Sequence, residues 1–353
     1  MRVMMKGNEA LAEAALRAGC RYYFGYPITP QTELMEYMAR RLPEIGGTFL
    51  QAESEVAAVN MVYGAAGAGA RVMTSSSGPG ISLKQEGISF LASAELPCVI
   101  VNVMRGGPGL GTIQPSQGDY FQATRGGGHG DYRVPVLAPS SVQETADLVF
   151  ESFDLAERYR TPVLLLTDGV LGQMMEPLRL PEARNPRTSR APWITDGCKG
   201  RQRRIVKTLY LDPRALEAHN LHLQAKYAQL AREEVRSEVY GIDGGVDVLI
   251  VAFGICARAA RTAVDNLREK GLRAGLFRPI TLWPFPGAAL EAAALAARHI
   301  LTVELNAGQM VEDVRLALSG REIAFHGRMG GIMITASEIE TEVQRISEGS
   351  EAA

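Results

Sequence analysis

Short apolar strands that alternate with helices, each closing on glycine, proline or hydroxyl residues, leave this chain few folds to choose from. The clearest buried strands are residues 98–103 and 161–167. Shorter runs at 22–24, 48–50 and 71–74 precede them. Between these lie a helix that Asn8 can cap, with Leu11, Ala15 and Leu16 on one side and an end near Gly19, and an Ala- and Gly-rich helix over 53–69. Strand–helix alternation predicts an α/β fold with a parallel sheet. The pattern returns over 245–345, with strands at 248–253, 274–277, 299–303 and 323–325 and a helix over 257–270. It fails over 181–244, where Pro181, Pro186, Pro192 and basic residues give way to one polar helix over 213–239. That segment reads as a linker, or an arm that packs on a neighbour. The expected division is therefore 1–180, 181–244, 245–345 and a small polar tail, 346–353, that frays.

Composition narrows the function classes. A length of 353 residues accommodates two domains at roughly 100–200 residues each. Lys+Arg number 37 against 39 Asp+Glu, so no basic excess points to nucleic acid or an anionic membrane. No apolar run reaches the ~20 residues of a membrane span, and no apolar signal stretch follows the first residues, which predicts a cytoplasmic protein. Cys20, Cys98, Cys198 and Cys256 share no CxxC spacing, so neither a disulfide framework nor an iron–sulfur cluster can be assembled locally. His219 and His222 stand in HxxH spacing without an obvious third metal ligand and read as a solvated helix face.

Ligands in parallel α/β sheets sit beyond the carboxyl ends of the strands, and four loops fit that position. In Gly25-Tyr26-Pro27-Ile28-Thr29-Pro30, two prolines fix the backbone and hold the Thr29 hydroxyl in place, although a structural turn explains them equally well. Glu53 and Glu55 lie at a helix start, where the dipole alone would favour them. Glu55 is followed by four apolar residues, and a carboxylate in such surroundings can donate as well as accept a proton. The loop from Ser75 through Ser77 and Gly78 to Gly80 opens a helix and can cradle an anion. Arg105 ends a strand and precedes Gly106 and Gly107, well placed to clamp a carboxylate through two hydrogen bonds. His129, in a second glycine-rich loop, reads as a turn residue rather than a proton carrier.

Together these loops resemble the α subunit of the 2-oxoacid:ferredoxin oxidoreductases. The matching text is GYPITP at 25–30, ESEVAAVNMVYGAAGAGA at 53–70, TSSSGPGISLKQEG at 74–87, MRGGPGLG at 104–111, GGGHGDYR at 126–133, FRPITLWPFP at 277–286 and VELNAGQM at 303–310. The resemblance implies a thiamine-diphosphate pyrimidine-type domain followed by a transketolase C-terminal-like domain. It implies oxidative decarboxylation of a 2-oxoacid with coenzyme A, giving acyl-CoA, carbon dioxide and reduced ferredoxin. Glu55 then matches the glutamate that hydrogen-bonds the aminopyrimidine ring, with Glu53 ranked second. Tyr26, Pro27, Ile28, Ser77 and Gly78 fall against the cofactor. Thr29, Arg105 and Gly106 fall against the substrate, Arg105 pairing with its carboxylate.

The same resemblance exposes what is missing. Thiamine enzymes hold the diphosphate and magnesium with Gly-Asp-Gly and a later Asn; Thr167-Asp168-Gly169 and Ile242-Asp243-Gly244 come nearest, and neither has the Asn in register. Magnesium wants carboxylates plus phosphates. The expected diphosphate and Mg²⁺ site therefore lies on a β subunit, and the iron–sulfur clusters on other partners, including γ and ferredoxin-like subunits. No Lys or Arg follows the Thr29 loop before Arg40, which favours a branched-chain acid such as 3-methyl-2-oxobutanoate. Arg125 and Arg133 keep 2-oxoglutarate and pyruvate open. A transketolase-like component passing electrons to lipoamide or NAD, and a non-catalytic scaffold paralogue, are the competing readings.

Overall fold

A computed structural model describes residues 2–184 and 191–349. Pro186 of the linker lies outside them. The first half runs β1 (Val3–Lys6), α1 (Gly7–Arg17), β2 (Tyr22–Gly25), α2 (Thr32–Glu44), β3 (Thr48–Gln51), α3 (Glu55–Gly67), β4 (Val72–Ser76), α4 (Pro79–Ser93), β5 (Cys98–Met104), α5 (Tyr120–Thr124), β6 (Val136–Leu137), α6 (Val142–Tyr159), β7 (Pro162–Asp168), α7 (Gly169–Gln173) and β8 (Met175–Leu178). The second runs α8 (Pro213–Glu233), β9 (Ser237–Tyr240), β10 (Val246–Val251), α9 (Gly254–Glu269), β11 (Ala274–Pro279), β12 (Thr281–Trp283), α10 (Gly287–Ala294), β13 (Ala297–Glu304), α11 (Met310–Ala317), β14 (Ile323–Gly327) and α12 (Ala336–Gly349).

Two sheets carry the molecule. The larger has the order β12-β6-β7-β5-β4-β2-β3, parallel apart from β12. The smaller has the order β14-β13-β10-β11-β9, parallel apart from β9. Every residue of β5 and β7 is buried, as a central strand with helices on both faces requires. The edge strand β12 comes from the second half of the chain and pairs with β6, stitching the two halves into one hydrogen-bonded sheet.

Several expectations are corrected. Asn8 does not cap α1; Lys6 precedes the helix, and the buried Asn8 amide donates to the Pro30 carbonyl at 2.8 Å and to Glu33 at 3.0 Å. Its work is to hold the back of the Thr29 loop. Ser75 and Ser76 belong to β4 rather than to the following loop, and both are buried. Strand placement is possible for Ser75 because its hydroxyl is satisfied: it donates to Gln31 Oε1 at 2.5 Å and receives Tyr23 Oη at 2.6 Å. Helix α8 ends at Glu233, and residues 237–240 form a strand instead, consistent with the β-forming Val239 and Tyr240. The arm packs on its own chain. Leu223, Tyr227 and Leu230 are buried, and Lys226 Nζ reaches Glu95 at 3.1 Å. Of the two histidines, His222 is exposed as a solvated face requires, with Nε2 3.1 Å from Glu95, whereas His219 is half-buried, with Nε2 2.8 Å from the Ser93 carbonyl. Of the small polar tail, residues 346–349 belong to α12, with Ile346 packed on the second core; residues 350–353 lie outside the described chain.

Candidate active site

Four neighbouring strands of the large sheet, β5, β4, β2 and β3, bring the four predicted loops side by side at their carboxyl ends. Strand β3 leads into α3, whose first residue is Glu55 and whose cap is Ser54, with Oγ accepting the Ala57 N–H at 3.1 Å. Glu55 is buried at 6% exposure, whereas Glu53 lies before the helix and is exposed. That contrast separates the two glutamates: only Glu55 points its carboxylate into the protein.

The surroundings of that carboxylate are polar, not apolar as its sequence neighbours suggested; Val56 faces solvent at 42%. The carboxylate lies against Gly80 of α4. A Cβ on Gly80 would overlap Ser76 Oγ and stand 2.6 Å from Glu55 Oε1, so only glycine admits this approach. Ser76 Oγ and Ser77 Oγ are buried without hydrogen-bond partners. Buried hydroxyls left unpaired cost free energy, and Ser76 Oγ lies with the Glu55 carboxylate around Gly80. Gly78, with φ at +37°, turns the chain sharply between the two serines and α4.

The Thr29 loop is held from three sides. Gln31, fully buried, donates through Nε2 to the Tyr26 carbonyl at 3.3 Å and accepts from Ser75. Asn8 grips Pro30. From β5, Arg105 Nη1 donates to the Thr29 carbonyl at 3.0 Å and Nη2 to the Leu110 carbonyl at 3.1 Å, while Nε has no partner. Tyr26, Pro27 and Thr29 are exposed, and Ile28 is half-buried. Arg105 therefore ties the Thr29 loop to the glycine-rich loop and retains one donor.

Arg105, Gly106 and Gly78 line an open cavity of about 770 Å³ between the two sheets. Glu55, Thr29, Tyr26, Pro27, Ile28 and Ser77 are not among its lining residues. The opposite wall comes from the carboxyl ends of β13 and β14, including Asn306, Gln309 and Met329. Asp119 also lines it; burial pushes its carboxyl above the usual range, and Asn102 Nδ2 at 2.9 Å and the Arg105 charge oppose the shift. His129 is exposed, edge-on to Phe90, and outside the cavity.

Sequence reasoning missed the residues that hold this cavity open. Gln117 accepts from Leu305 N at 3.1 Å and donates to the Phe253 carbonyl at 2.8 Å. Glu304 receives the N–H groups of Met310 at 2.8 Å and Val311 at 2.9 Å, and burial raises its carboxyl above the ordinary value. The strand end before a helix start at Glu304 was a signal that could have found it; Gln117, in a loop, carried none. Lys84 was missed as well. It is completely buried on α4, donates to Thr74 Oγ1 at 2.8 Å, and is held down to about 8 by burial, with the Glu55 charge acting the other way.

A parallel sheet presenting a buried glutamate, unpaired hydroxyls and an arginine at its carboxyl edge defines a nucleotide- or cofactor-binding α/β enzyme component, and comparison with known proteins says which. Residues 13–238 match the family model described as pyruvate flavodoxin/ferredoxin oxidoreductase, thiamine diphosphate-binding, and residues 246–339 match core domain II of pyruvate:ferredoxin oxidoreductase. The ketoisovalerate oxidoreductase subunit VorB of Methanothermobacter thermautotrophicus is 52% identical over 344 residues, covering 98% of this chain and 97% of that one. The 2-oxoglutarate synthase subunit KorA of Methanocaldococcus jannaschii is 37% identical over 364 residues, covering 96% of this chain and 98% of that one. Among solved structures, the 2-oxoglutarate:ferredoxin oxidoreductase of Magnetococcus marinus superposes with a TM-score of 0.90 at 28% identity, over 98% of this chain and 65% of that longer chain. A split-gene transketolase shares the fold alone, with a TM-score of 0.60 at 17% identity. The chain belongs to the 2-oxoacid:ferredoxin oxidoreductase family and is a subunit of such a thiamine-diphosphate-dependent enzyme.

Proposed function

We propose that this chain supplies the pyrimidine side of a shared active site in a complex that oxidatively decarboxylates a branched-chain 2-oxoacid, 3-methyl-2-oxobutanoate being the type substrate. The observation that carries the reading is the convergence of buried Glu55, the Thr29 loop and Arg105 at the carboxyl ends of adjacent strands. The cradle fits an aminopyrimidine: a carboxylate for a ring nitrogen, unpaired hydroxyls beside it, and a glycine that clears the approach. When bound, thiamine diphosphate supplies the carbon nucleophile and the electron sink for decarboxylation. Glu55 holds the proton exchanged with the ring nitrogen. The Thr29 hydroxyl orients the 2-oxo group, and Arg105 pairs with the substrate carboxylate as it enters the cavity.

An aliphatic substrate is supported by the fate of the other cations. Arg125 is paired with Asp313 at 3.0 Å and Arg133 donates to the Thr124 carbonyl at 3.4 Å; neither lines the cavity. The likeness to the ketoisovalerate subunit over nearly the whole chain points the same way. The competing reading, 2-oxoglutarate, rests on the KorA relatives. Among the described residues no group of three or more metal-ligating side chains occurs. We assign the diphosphate and Mg²⁺ to a β subunit, and the iron–sulfur path to ferredoxin, with coenzyme A as acyl acceptor, to further partners. Three of the four cysteines are buried and none is bridged, which fits a reducing cytoplasm. Viologen reduction by the assembled complex over a panel of 2-oxoacids tests the reading. The highest kcat/KM is expected for 3-methyl-2-oxobutanoate, and a preference for 2-oxoglutarate would overturn the substrate assignment.

A further inference from the structure

Lys84 is a fully buried lysine whose hydrogen-bond partner is a neutral hydroxyl, Thr74 Oγ1 at 2.8 Å. An ammonium without a counter-charge is among the most expensive groups to bury. Its position explains why it is tolerated. Lys84 and Gly80 stand four residues apart on α4, hence on one face. Helical side chains lean toward the helix N-terminus, so Lys84 extends back over Gly80, the glycine against which the Glu55 carboxylate rests. Thr74, its partner, lies two residues before Ser76 on β4 and so on the same strand face, and passes its own hydroxyl proton to the Phe24 carbonyl at 2.6 Å, just ahead of the Thr29 loop.

Other titratable groups around α4 are engaged elsewhere. Tyr132, from the glycine-rich loop, turns to Gln85; His129 stacks edge-on to Phe90; His219, from α8, binds the Ser93 carbonyl; Glu86, on α4 itself, is exposed. From α3 the charge that acts on Lys84 is Glu55.

The geometry points to Lys84 as the positioning residue of the catalytic glutamate, a buried counter-ion that holds the Glu55 carboxylate aimed across Gly80 into the cofactor cradle. The inference rests on the assignment of Glu55 above. Its pH dependence follows from the lysine. Burial brings Lys84 from 10.5 to about 8. Below that value the folded protein keeps the ammonium beside Glu55; above it the folded protein has lost the ammonium, while an unfolded chain keeps it until near its ordinary value.

The test is a double-mutant cycle on the thermal midpoint of the assembled, cofactor-free complex, with wild type, Lys84→Met, Glu55→Gln and the double variant. Lys84→Met should raise the midpoint several degrees more in the Glu55→Gln background than in wild type at about pH 7, and that difference should vanish near pH 9.5, above the lysine's titration. Lys84→Arg, which stays charged, should preserve the coupling at both values. With cofactor, Lys84→Met should lower turnover on the order of tenfold through misplacement of the carboxylate, with little change in substrate KM, and Lys84→Arg should restore it. Additive midpoints at about pH 7, or a coupling unchanged near pH 9.5, would overturn the inference. Near-normal turnover of Glu55→Gln would instead overturn the role of Glu55 while leaving the measured coupling intact.

Discussion

At the scale of single residues, the candidates for chemistry stood out where a strand ended. Thr29, Glu55 and Arg105 each follow a run of apolar residues and precede glycine, proline or a helix start, so position alone made them candidates. Lys84 stood within a helix, where lysine ordinarily marks a solvated face, and only the third dimension shows that it is fully buried, one turn from the Gly80 that Glu55 rests against. Asn8 was misread for a related reason. Asparagine before a helical pattern signals a cap, but here the cap is Lys6, two residues earlier, and the amide is spent on Pro30. Two substitutions test the site at this scale. Gly80→Ala adds a methyl group that overlaps Ser76 Oγ and meets Glu55 Oε1 at 2.6 Å. Displacing a catalytic carboxylate by about 1 Å costs roughly a hundredfold, so turnover should fall by that order while the circular dichroism spectrum is retained; unchanged turnover would mean the carboxylate does not act from there. Arg105→Leu removes the remaining free donor together with the two bonds that hold the Thr29 and Leu110 carbonyls. The apparent KM for the 2-oxoacid should rise far more than that for coenzyme A, by about tenfold to a hundredfold for a lost charge-assisted bond of ~1.5–3 kcal/mol. Equal changes in both would show a loss of loop order rather than of a carboxylate contact.

At the scale of elements, the long central strands and the helices between them were readable because burial on both faces gives an unbroken apolar run. Short pieces were not. Strand β6 has two residues and β12 three, too few to show any period, and both exist because a neighbouring strand offers them hydrogen bonds. Strand β9 was absorbed into the helix before it, since a helix end with no glycine or proline leaves no mark in the text. Helix α3 offers a test of how an element aims the carboxylate proposed to act. Its cap, Ser54, fixes the first turn, and Glu55 is the next residue. Ser54→Ala should destabilise by about 1 kcal/mol, the usual worth of an N-cap, and should also lower kcat, because the turn carrying the carboxylate loosens. Ser54→Asp, which caps equally well, should restore both the thermal midpoint and kcat. A midpoint restored without kcat would show that the hydroxyl, not the cap, serves the reaction.

At the scale of the whole molecule, the alternation of strands and helices foretold two α/β units but not how they are joined. Strand β12 crosses from the second half into the first sheet, Gln117 reaches from the first half to Phe253 and Leu305, and Tyr120 Oη donates to Asp313 at 2.6 Å. Contacts so distant in sequence have no local signature. They place the strand ends of both sheets around one cavity of about 770 Å³, and that cavity is open. Thr29, Tyr26, Leu50, Val56, Leu83 and Leu110 stand exposed on the same edge of the molecule as the buried glutamate, three of them between 40% and 54% exposed. An enzyme that must keep water from a reactive carbon needs that edge covered, and the chain itself has no further segment among its described residues that covers it. Isolated, the chain should therefore bind thiamine diphosphate weakly, by calorimetry, and should reduce no viologen dye with any 2-oxoacid. Adding the partner subunit proposed to hold the diphosphate should restore tight cofactor binding at one site per pair of chains, with Mg²⁺ required, and dye reduction should return once the proposed electron-carrying partners are present. Tight, Mg²⁺-dependent binding by the lone chain would mean that the diphosphate site is built here after all, and that the reactive centre is not shared between subunits.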